Sequence, residues 1–229
     1  MVDHCQRSLD VAGEVLSPVF DFDRQKIPTQ MTNALSSAVN ETLAMLSSPM
    51  LAITTHAQGR NNGLVARSGL FASLVPEAPR VLIELTKANL THDLVLASGV
   101  FVLHTFPATP HDALTKSLSL IHALGMRSGH DGDKMTGIPT RPGVTGCPIL
   151  TDTLTYLEAR VVATLDGEEL TVFLADVVGG GRLRDGEPLT FGLFREYLPK
   201  EWLAEWGASR ERQIADARRR RGLGSRRCD

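Results

Sequence analysis

Two turn sequences, each lying between apolar runs of strand length, constrain the fold of this chain most. Residues 58–63 contain Gly and Asn, and they follow a short apolar run at residues 50–55. Residues 166–169 separate the runs at residues 153–165 and 170–178. Turns of this composition join neighbouring strands into β-hairpins, whose strands are antiparallel. The sequence therefore predicts two antiparallel hairpins at widely separated positions.

Other segments predict further strands and several helices. Predicted strands lie at residues 64–74, 81–85, 100–106 and 189–193, and predicted helices at 31–46, from Leu90, at 111–124 and from Pro199 onward. Gly69, inside the run at 64–74, indicates a bulge or a close approach to the backbone. Six or seven strands in hairpins favour an antiparallel barrel over an alternating βαβ sheet, and no Gly-rich dinucleotide fingerprint argues otherwise.

The length and composition allow one large domain with appended helices. The chain has 229 residues, of which 42% are hydrophobic, so it can bury a full core. We expect an N-terminal extension and helix at residues 1–48, the barrel at 49–198, and a C-terminal helix with an arginine-rich tail at 199–229. The predicted fold class is therefore mainly β, with inserted helices and extra helices at both ends.

The positive charge of the chain is concentrated at its C-terminus. The last twenty residues hold eight arginines and three acidic residues, a net charge of +5, whereas the whole chain carries −2. Clustered arginines can contact nucleic acid, but no recognised nucleic-acid module precedes them. We favour a solvated helix end and expect no nucleic-acid binding. A basic tail that docks an acidic partner stays open as an alternative.

The sequence predicts a cytoplasmic protein without membrane contact. No apolar run approaches the ~20 residues of a membrane-spanning helix, and the N-terminus lacks the pattern of a signal peptide. The three cysteines, Cys5, Cys147 and Cys228, are too few and too far apart for a disulfide framework or a metal cluster. We expect reduced thiols, with Cys147 as a small buried residue.

Five histidines between residues 92 and 130 raise the question of a metal site. They are His92, His104, His111, His122 and His130. Their spacing matches no zinc motif, and no cysteine lies among them. No G-x-S-x-G sequence indicates a nucleophilic serine. The sequence therefore predicts neither a metal site nor a catalytic side chain.

Polar residues at the start of one predicted helix indicate a phosphate-binding position. Asn89 is expected at the N-cap, where the first backbone N–H groups carry partial positive charge. Phosphates bind at such helix starts. Lys87 and Thr91 add a cation and a hydroxyl beside it. The alternative is that Asn89 merely caps a short helix and that Lys87 is solvated.

Five segments, in the same order along the chain, resemble the flavin reductase-like family of FMN-binding split barrels. They read NNGLVARSGLFAS, APRVLIELTKANLTHDLVLASGVFVLH, DGDKMTGIPTRPGVTGCPIL, YLEARVVATLDGEELTVFLADVV and EPLTF, and they span about residues 50–191. The resemblance implies an antiparallel split barrel and a homodimer with the flavin near the subunit interface. It also implies hydride transfer between NAD(P)H and bound FMN, or electron transfer from the flavin to a protein partner.

The resemblance implies two groups of cofactor-binding residues. The segment facing the flavin ring, largely through backbone groups, matches Val65, Ala66, Arg67 and Ser68. The phosphate-binding segment matches Lys87, Ala88, Asn89, Leu90 and Thr91. Arg67 departs from the family pattern, and its guanidinium either stabilises the reduced flavin or points toward the phosphate.

Further positions carry the resemblance beyond these two groups. His104 falls where the family has an Asn that can form a hydrogen bond, and Asp133, Lys134 and Met135 match a segment that closes over the flavin. Many NAD(P)H-dependent members have Gly-Asp-His in the second hairpin, whereas this chain reads Gly167, Glu168, Glu169, Leu170. Three functions stay open: a flavin reductase, a flavoprotein electron carrier without nicotinamide activity, which the missing His supports, and a split-barrel binding module whose basic tail docks a partner.

Overall fold

The structure, a computed structural model, describes residues 49–223, and within them it contains nine strands and four α-helices. The strands are β1 (Leu51–Ala57), β2 (Arg60–Ala66), β3 (Gly69–Phe71), β4 (Arg80–Thr86), β5 (Val100–Thr105), β6 (Thr140–Pro142), β7 (Pro148–Leu150), β8 (Thr155–Asp166) and β9 (Leu170–Arg182). The helices are α1 (Leu90–Ser98), α2 (His111–Gly125), α3 (Phe191–Tyr197) and α4 (Leu203–Arg220), and a 3-10 turn at Lys200–Trp202 precedes α4. The predicted N-terminal extension and its helix at 31–46 lie outside the described residues.

Seven strands form one antiparallel sheet, which confirms the predicted fold class. Their order is β2-β1-β5-β8-β9-β4-β3, and β6 and β7 form a separate small hairpin. Both predicted hairpins are present, as β1–β2 and β8–β9. The first turns at Gln58 and Gly59, with φ values of 52° and 72°, and the second contains Glu168 with φ 70°. Two-residue turns with positive φ match the twist of the strands that they join.

The strands of the sheet bury side chains on both faces. Leu51 and Ile53 of β1 pack with Phe101 and Phe173 in one cluster of the barrel interior. Ala52, on the opposite face of β1, belongs to a second cluster that includes side chains of α2 and α3. Successive side chains of a strand point to opposite faces, so β1 contributes to both clusters. The second cluster attaches α2 to the outside of the sheet.

The predicted strand at residues 64–74 is wrong, because the chain leaves one sheet edge and joins the other within it. Strand β2 ends at Ala66 and pairs with β1, whereas β3 starts at Gly69 and pairs with β4. These partners lie at opposite ends of the strand order. The connection between them, residues 67–68, therefore crosses the split of the barrel.

The predicted strand at residues 189–193 is also wrong, because a helix begins there. The Leu193 amide donates to the Thr190 hydroxyl at 3.2 Å, and Thr190 is the N-cap of α3. Thr is a preferred N-cap because its side-chain oxygen accepts from an amide of the first turn. The predicted helices at 111–124 and after Pro199 are confirmed as α2 and α4.

Replacing Gly69 with Ala is expected to lower the free energy of unfolding by about 1–3 kcal/mol, the cost of overpacking a core. A Cβ atom at Gly69 would lie 2.6 Å from Leu51 Cδ1 and 3.2 Å from Leu103 Cδ1. Urea denaturation measures the change. Gly207→Ala in α4 is the control, since no atom lies within 4 Å of its Cβ position, and Ala favours a helix. Equal stability of the two variants would contradict this packing.

Candidate functional site

A cavity of about 770 Å³ lies where the barrel is split, between the sheet and α4. Its lining residues are Leu64, Val65, Ala66, Arg67, Ser68, Glu84, Leu85, Thr86, Asn89, Gly125, Glu169, Leu170, Trp206, Ser209, Arg210, Gln213, Ile214 and Ala217. The ends of β2 and β4 and the β8–β9 hairpin form one wall, and α4 forms the other. Small-molecule sites commonly enclose about 300–1,000 Å³, so the cavity has the size of a cofactor site.

Two of the predicted cofactor-binding segments meet at this cavity. Val65, Ala66, Arg67 and Ser68 line it at the end of β2, and Asn89 lines it at the start of α1. Predicted residues that do not line it are Lys87, Ala88, Leu90, Thr91, His104 and Lys134. The fold therefore brings the whole predicted ring-facing group to the cavity, but only Asn89 of the predicted phosphate-binding group.

The start of α1 opens at the cavity without a side-chain cap. Asn89 occupies the N-cap with extended backbone, φ −98° and ψ 132°, as predicted, but its side chain forms no cap hydrogen bond. Instead its Nδ2 donates to Thr86 Oγ1 at 2.6 Å. The amides of a first helical turn have no partner within the helix. The Asn89 side chain consequently offers no acceptor to the amides of Leu90 and Thr91, and phosphate binding at this helix start stays a prediction.

Lys87 and Thr91 already have partners in the protein. Lys87 Nζ donates to Asp166 Oδ1 at 2.6 Å, and this bond, with that from the Glu168 amide, lowers the pKa of Asp166. Thr91 is fully buried, and its hydroxyl accepts from Asn62 Nδ2 at 3.2 Å. Either side chain would have to leave its partner to reach a phosphate, and their role in binding one stays a prediction.

Arg67 lies among aromatic and basic groups. Its guanidinium carbon is 3.8 Å from the centre of the Phe191 ring in α3. Burial lowers the pKa of Arg67, and the nearby guanidinium groups of Arg210 and Arg195 lower it further. Stacking on an aromatic face holds a guanidinium in a defined orientation. The departure noted in the sequence thus places a positioned cation at the end of β2.

Two carboxylates, those of Glu84 and Glu169, also line the cavity, and neither was among the predicted cofactor-binding residues. Ser68 Oγ donates to Glu84 Oε1 at 2.6 Å. Glu169, in the hairpin that lacks the family's His, lies 3.7 Å from Arg221 Nε through Oε2. The backbone oxygen of Glu169 accepts from the Lys87 amide at 3.0 Å, so the hairpin is joined to the segment before α1. Glu84 alternates with buried residues along β4, and this alternation is the sequence signal that could have indicated its exposure.

Helix α4 covers the cavity and is held at its two ends. Near its start, Glu205 Oε2 lies 3.1 Å from His122 Nε2 of α2, and the Trp206 ring is 5.1 Å from Phe194. Past its end, Arg221 pairs with Glu169. None of the residues of α4 is buried. Its cavity-facing side, which includes Trp206, Arg210 and Gln213, follows helical spacing, although the sequence alone did not indicate what it faces.

His104 lies inside the fold and not along the cavity. It is fully buried on β5, and its Nε2 accepts from the Leu150 amide of β7 at 3.0 Å. Burial lowers its pKa to about 3, an effect that the Ala52 backbone only partly opposes. His104 is therefore neutral and joins β7 to the sheet, and its predicted hydrogen bond to a flavin stays a prediction.

Lys134 and its neighbours hold the C-terminus of α2. Lys134 is 5% exposed and its Nζ donates to the Leu124 carbonyl at 2.8 Å. Burial, followed by the charge of Arg127, lowers the pKa of Lys134 to about 8. Asp133 Oδ1 accepts from the Met135 amide at 2.7 Å, and Met135 packs in the cluster with α2. Closure of this segment over a flavin stays a prediction.

The histidines and Cys147 are dispersed through the described part of the chain. Within residues 49–223, no three His, Cys, Asp or Glu side chains are arranged to hold a metal ion. His92 contacts Thr171 and Asp93, whereas His122 contacts Glu205. Cys147 is a buried free thiol, as predicted. The helices described here also include none that is long and apolar enough to cross a membrane.

Comparison with known proteins identifies relatives of the domain that builds most of this cavity. A family model described as the flavin reductase like domain matches residues 43–197. The high molecular weight rubredoxin of Moorella thermoacetica is 32% identical over 145 residues, which are 63% of this chain and 60% of that protein. The ferric-chelate reductase (NAD(P)H) of Archaeoglobus fulgidus is 27% identical over 152 residues, 66% of this chain and 85% of that protein. The chain thus spans about three fifths of the rubredoxin.

A solved structure shares the same fold. The nitrilotriacetate monooxygenase component B of Mycobacterium thermoresistibile superposes with a TM-score of 0.57 and 25% identity, covering 70% of this chain and 84% of that one. The family match ends at residue 197, where α3 ends. Helix α4 therefore adds a wall to the cavity from outside the matched domain.

Proposed function

This chain belongs to the flavin reductase-like family, and from that premise we propose that it is an FMN-binding oxidoreductase that transfers hydride between NAD(P)H and the bound flavin. One observation carries the proposal. The segment 65–68 and Asn89, which the family resemblance marks for the ring and the phosphate, line a single cavity although they are far apart in sequence.

In this proposal, donors at and beside the cavity bind the two ends of FMN. The uncapped start of α1 offers the amides of Leu90 and Thr91 to a phosphate. The backbone of residues 65–68 offers hydrogen-bonding groups to a ring that lies along it. The bound FMN supplies the hydride chemistry. The protein then needs only to bind and orient the flavin and to exclude water, so no side chain acts as an acid or base.

Helix α4 supports that role by covering the cavity. Trp206 and Ile214 contribute apolar surface to the wall opposite β2. Exclusion of water strengthens the electrostatic interactions inside a site. Arg67 supplies a positive charge that offsets the negative charge of either the reduced ring or the phosphate. The protein would thus orient the flavin, exclude water from it and supply one compensating positive charge.

The visible absorption spectrum of the purified protein tests the proposal. We expect a yellow protein whose denatured supernatant contains FMN, and we expect the flavin absorption to bleach when NADH or NADPH is added without oxygen. A colourless protein that also fails to bind added FMN would contradict the proposal. Gel filtration and sedimentation test the homodimer that the family resemblance implies, which belongs to the same proposal along with a cytoplasmic location.

A second candidate is a flavoprotein electron carrier without nicotinamide activity of its own, and Glu169 favours it. The carboxylate stands in the hairpin where many NAD(P)H-dependent members have Gly-Asp-His, and it lines the cavity. A carboxylate there repels the phosphates of a dinucleotide. A flavin that bleaches with dithionite but not with NADH or NADPH would select this candidate, with an electron-accepting protein as its partner.

Replacing Glu169 with His is expected to raise kcat/KM for NADH or NADPH about 10-fold, a change of roughly 1.4 kcal/mol in transition-state stabilisation. The substitution removes the repelling charge and restores the residue that the family associates with nicotinamide. Steady-state oxidation of both nucleotides measures it. Glu169→Gln separates the two causes, since it removes the charge and the ion pair to Arg221 as Glu169→His does but adds no imidazole, and it should give a smaller gain. Unchanged kinetics in both variants would show that this hairpin does not contact the nucleotide.

A further inference from the structure

Two arginines line the cavity from opposite walls. Arg67 lies in the connection between β2 and β3, and Arg210 lies near the middle of α4. A third, Arg195 of α3, is close enough that both Arg195 and Arg210 act on Arg67 through their charge. The family match ends at residue 197, so Arg210 lies outside the domain that this chain shares with its relatives.

Stacking holds Arg67 in place, and aromatic contacts join its surroundings to α4. The Arg67 guanidinium stacks on Phe191, and Phe191 lies 6.3 Å from Phe194 between ring centres. Phe194 in turn packs against Trp206, one turn before Arg210 in α4. A row of aromatic rings therefore connects the two basic walls. Bringing like charges together on such a frame costs free energy, and a bound anion offsets that cost.

The two carboxylates that line the cavity each interact with another side chain. Glu84 accepts a hydrogen bond from Ser68, and Glu169 faces Arg221 beyond the end of α4. Both carboxylates lie on the wall formed by β4 and the hairpin. The arginines lie on the connection after β2 and on α4. The two arginines therefore come from elements other than those that carry the two carboxylates.

We propose that Arg67 and Arg210 form a second anion subsite, separate from the start of α1, that binds the diphosphate group of an adenine dinucleotide. Guanidinium groups bind phosphate oxygens through paired hydrogen bonds, and two of them match the two charges of a diphosphate. This inference rests on the proposed function, in which the single phosphate of FMN occupies the start of α1. The dinucleotide is either the nicotinamide substrate or FAD.

Titration with ADP-ribose, which carries the diphosphate without a redox group, tests the subsite. We expect Arg210→Gln to weaken ADP-ribose binding to the FMN-loaded protein about 10-fold, while the affinity for FMN changes less than two-fold. Arg67→Gln should also weaken ADP-ribose binding about 10-fold, and it should lower the affinity for FMN because Arg67 belongs to the segment that binds the flavin. Arg212→Gln is the matched control, since it removes the same charge from α4 at a position outside this cavity. It should leave ADP-ribose binding unchanged.

The outcomes distinguish a nicotinamide nucleotide from FAD as the ligand, and they distinguish failure of the subsite from failure of the proposed function. A raised KM for NADPH or NADH in Arg210→Gln assigns the subsite to the nicotinamide nucleotide, whereas a selective loss of FAD affinity assigns it to FAD. Equal effects of the substitutions at 210 and 212, or absence of ADP-ribose binding to the wild type, would overturn the subsite. An equal loss of FMN affinity in Arg210→Gln would overturn it too, because Arg210 would then hold the FMN phosphate. Failure of the wild type to bind FMN would contradict the proposed function instead, and ADP-ribose titration of the flavin-free protein would still test the subsite.

Discussion

Replacing Asn89 with Asp is expected to weaken FMN binding about 100-fold while the free energy of unfolding stays equal or rises. Asn89 occupies the N-cap of α1 at the cavity wall, and its side chain does not cap the helix. An Asp in this position caps a helix well and interacts favourably with its positive end. The same carboxylate would stand beside the FMN phosphate. Two like charges at about 4 Å repel by roughly 4 kcal/mol near a protein surface, more than the 2.7 kcal/mol of a 100-fold change.

The opposite signs of the two effects make this substitution informative. Fluorescence titration with FMN measures affinity, and urea denaturation of the flavin-free protein measures stability. Asn89→Ser is the matched control, since Ser is also a good N-cap but adds no charge, and it should bind FMN within a few-fold of the wild type. If Asp and Ser at this position bind FMN equally well, the phosphate does not lie at the start of α1.

Acidification from pH 6.5 to 4.5 is expected to destabilise the protein by about 2 kcal/mol in total through His104 alone, with a slope that approaches 1.4 kcal/mol per pH unit at the acidic end. The pKa of His104 is lowered to about 3 in the fold, from an ordinary value of 6.5. Between these values the unfolded chain binds a proton that the folded chain excludes. Stability is therefore complete above pH 6.5 and falls with pH until about pH 3, where the folded state also binds the proton.

His104→Gln isolates this contribution. Gln has no titratable group and can still accept the Leu150 amide, so the variant should show a shallower dependence of unfolding free energy on pH between 6.5 and 4.5. Asp133, Asp152, Asp166 and Asp216 have lowered pKa values as well. Their contribution is lost only as pH falls below the ordinary value near 3.8, outside this window. Parallel curves for the two proteins would mean that His104 is not buried as a neutral side chain.

Local sequence signals predicted the hairpins and the longer helices because turn chemistry and apolar spacing act over a few residues. The turn at Gln58 and Gly59 and the periodic apolar residues of α2 are of this kind. The error at residues 64–74 has the opposite origin. Arg67 and Ser68 are compatible with a continuous strand, and only the choice of pairing partners, β1 for one half and β4 for the other, ends β2 at Ala66.

The residues of the candidate site also differ in how far the sequence predicts their surroundings. The resemblance to a family, carried by the sequence, marked Val65, Ala66, Arg67, Ser68 and Asn89, all of which line the cavity. It equally marked Thr91, His104 and Lys134, whose side chains are buried against Asn62, Leu150 and Leu124. Sequence position alone does not reveal whether a polar side chain satisfies its hydrogen bonds inside the core or faces a cavity, because the partner comes from a distant segment.

The sequence by itself determined the antiparallel β class, the hairpin positions and the family, since each depends on local composition or on ordered motifs. The tertiary structure alone decided that α4 covers the split of the barrel and faces Arg210 toward the side of Arg67. That arrangement depends on the aromatic contact between Phe194 and Trp206 and on the ion pair between Glu169 and Arg221. The ion pair joins segments that are distant in sequence, so no short stretch of the sequence indicates it.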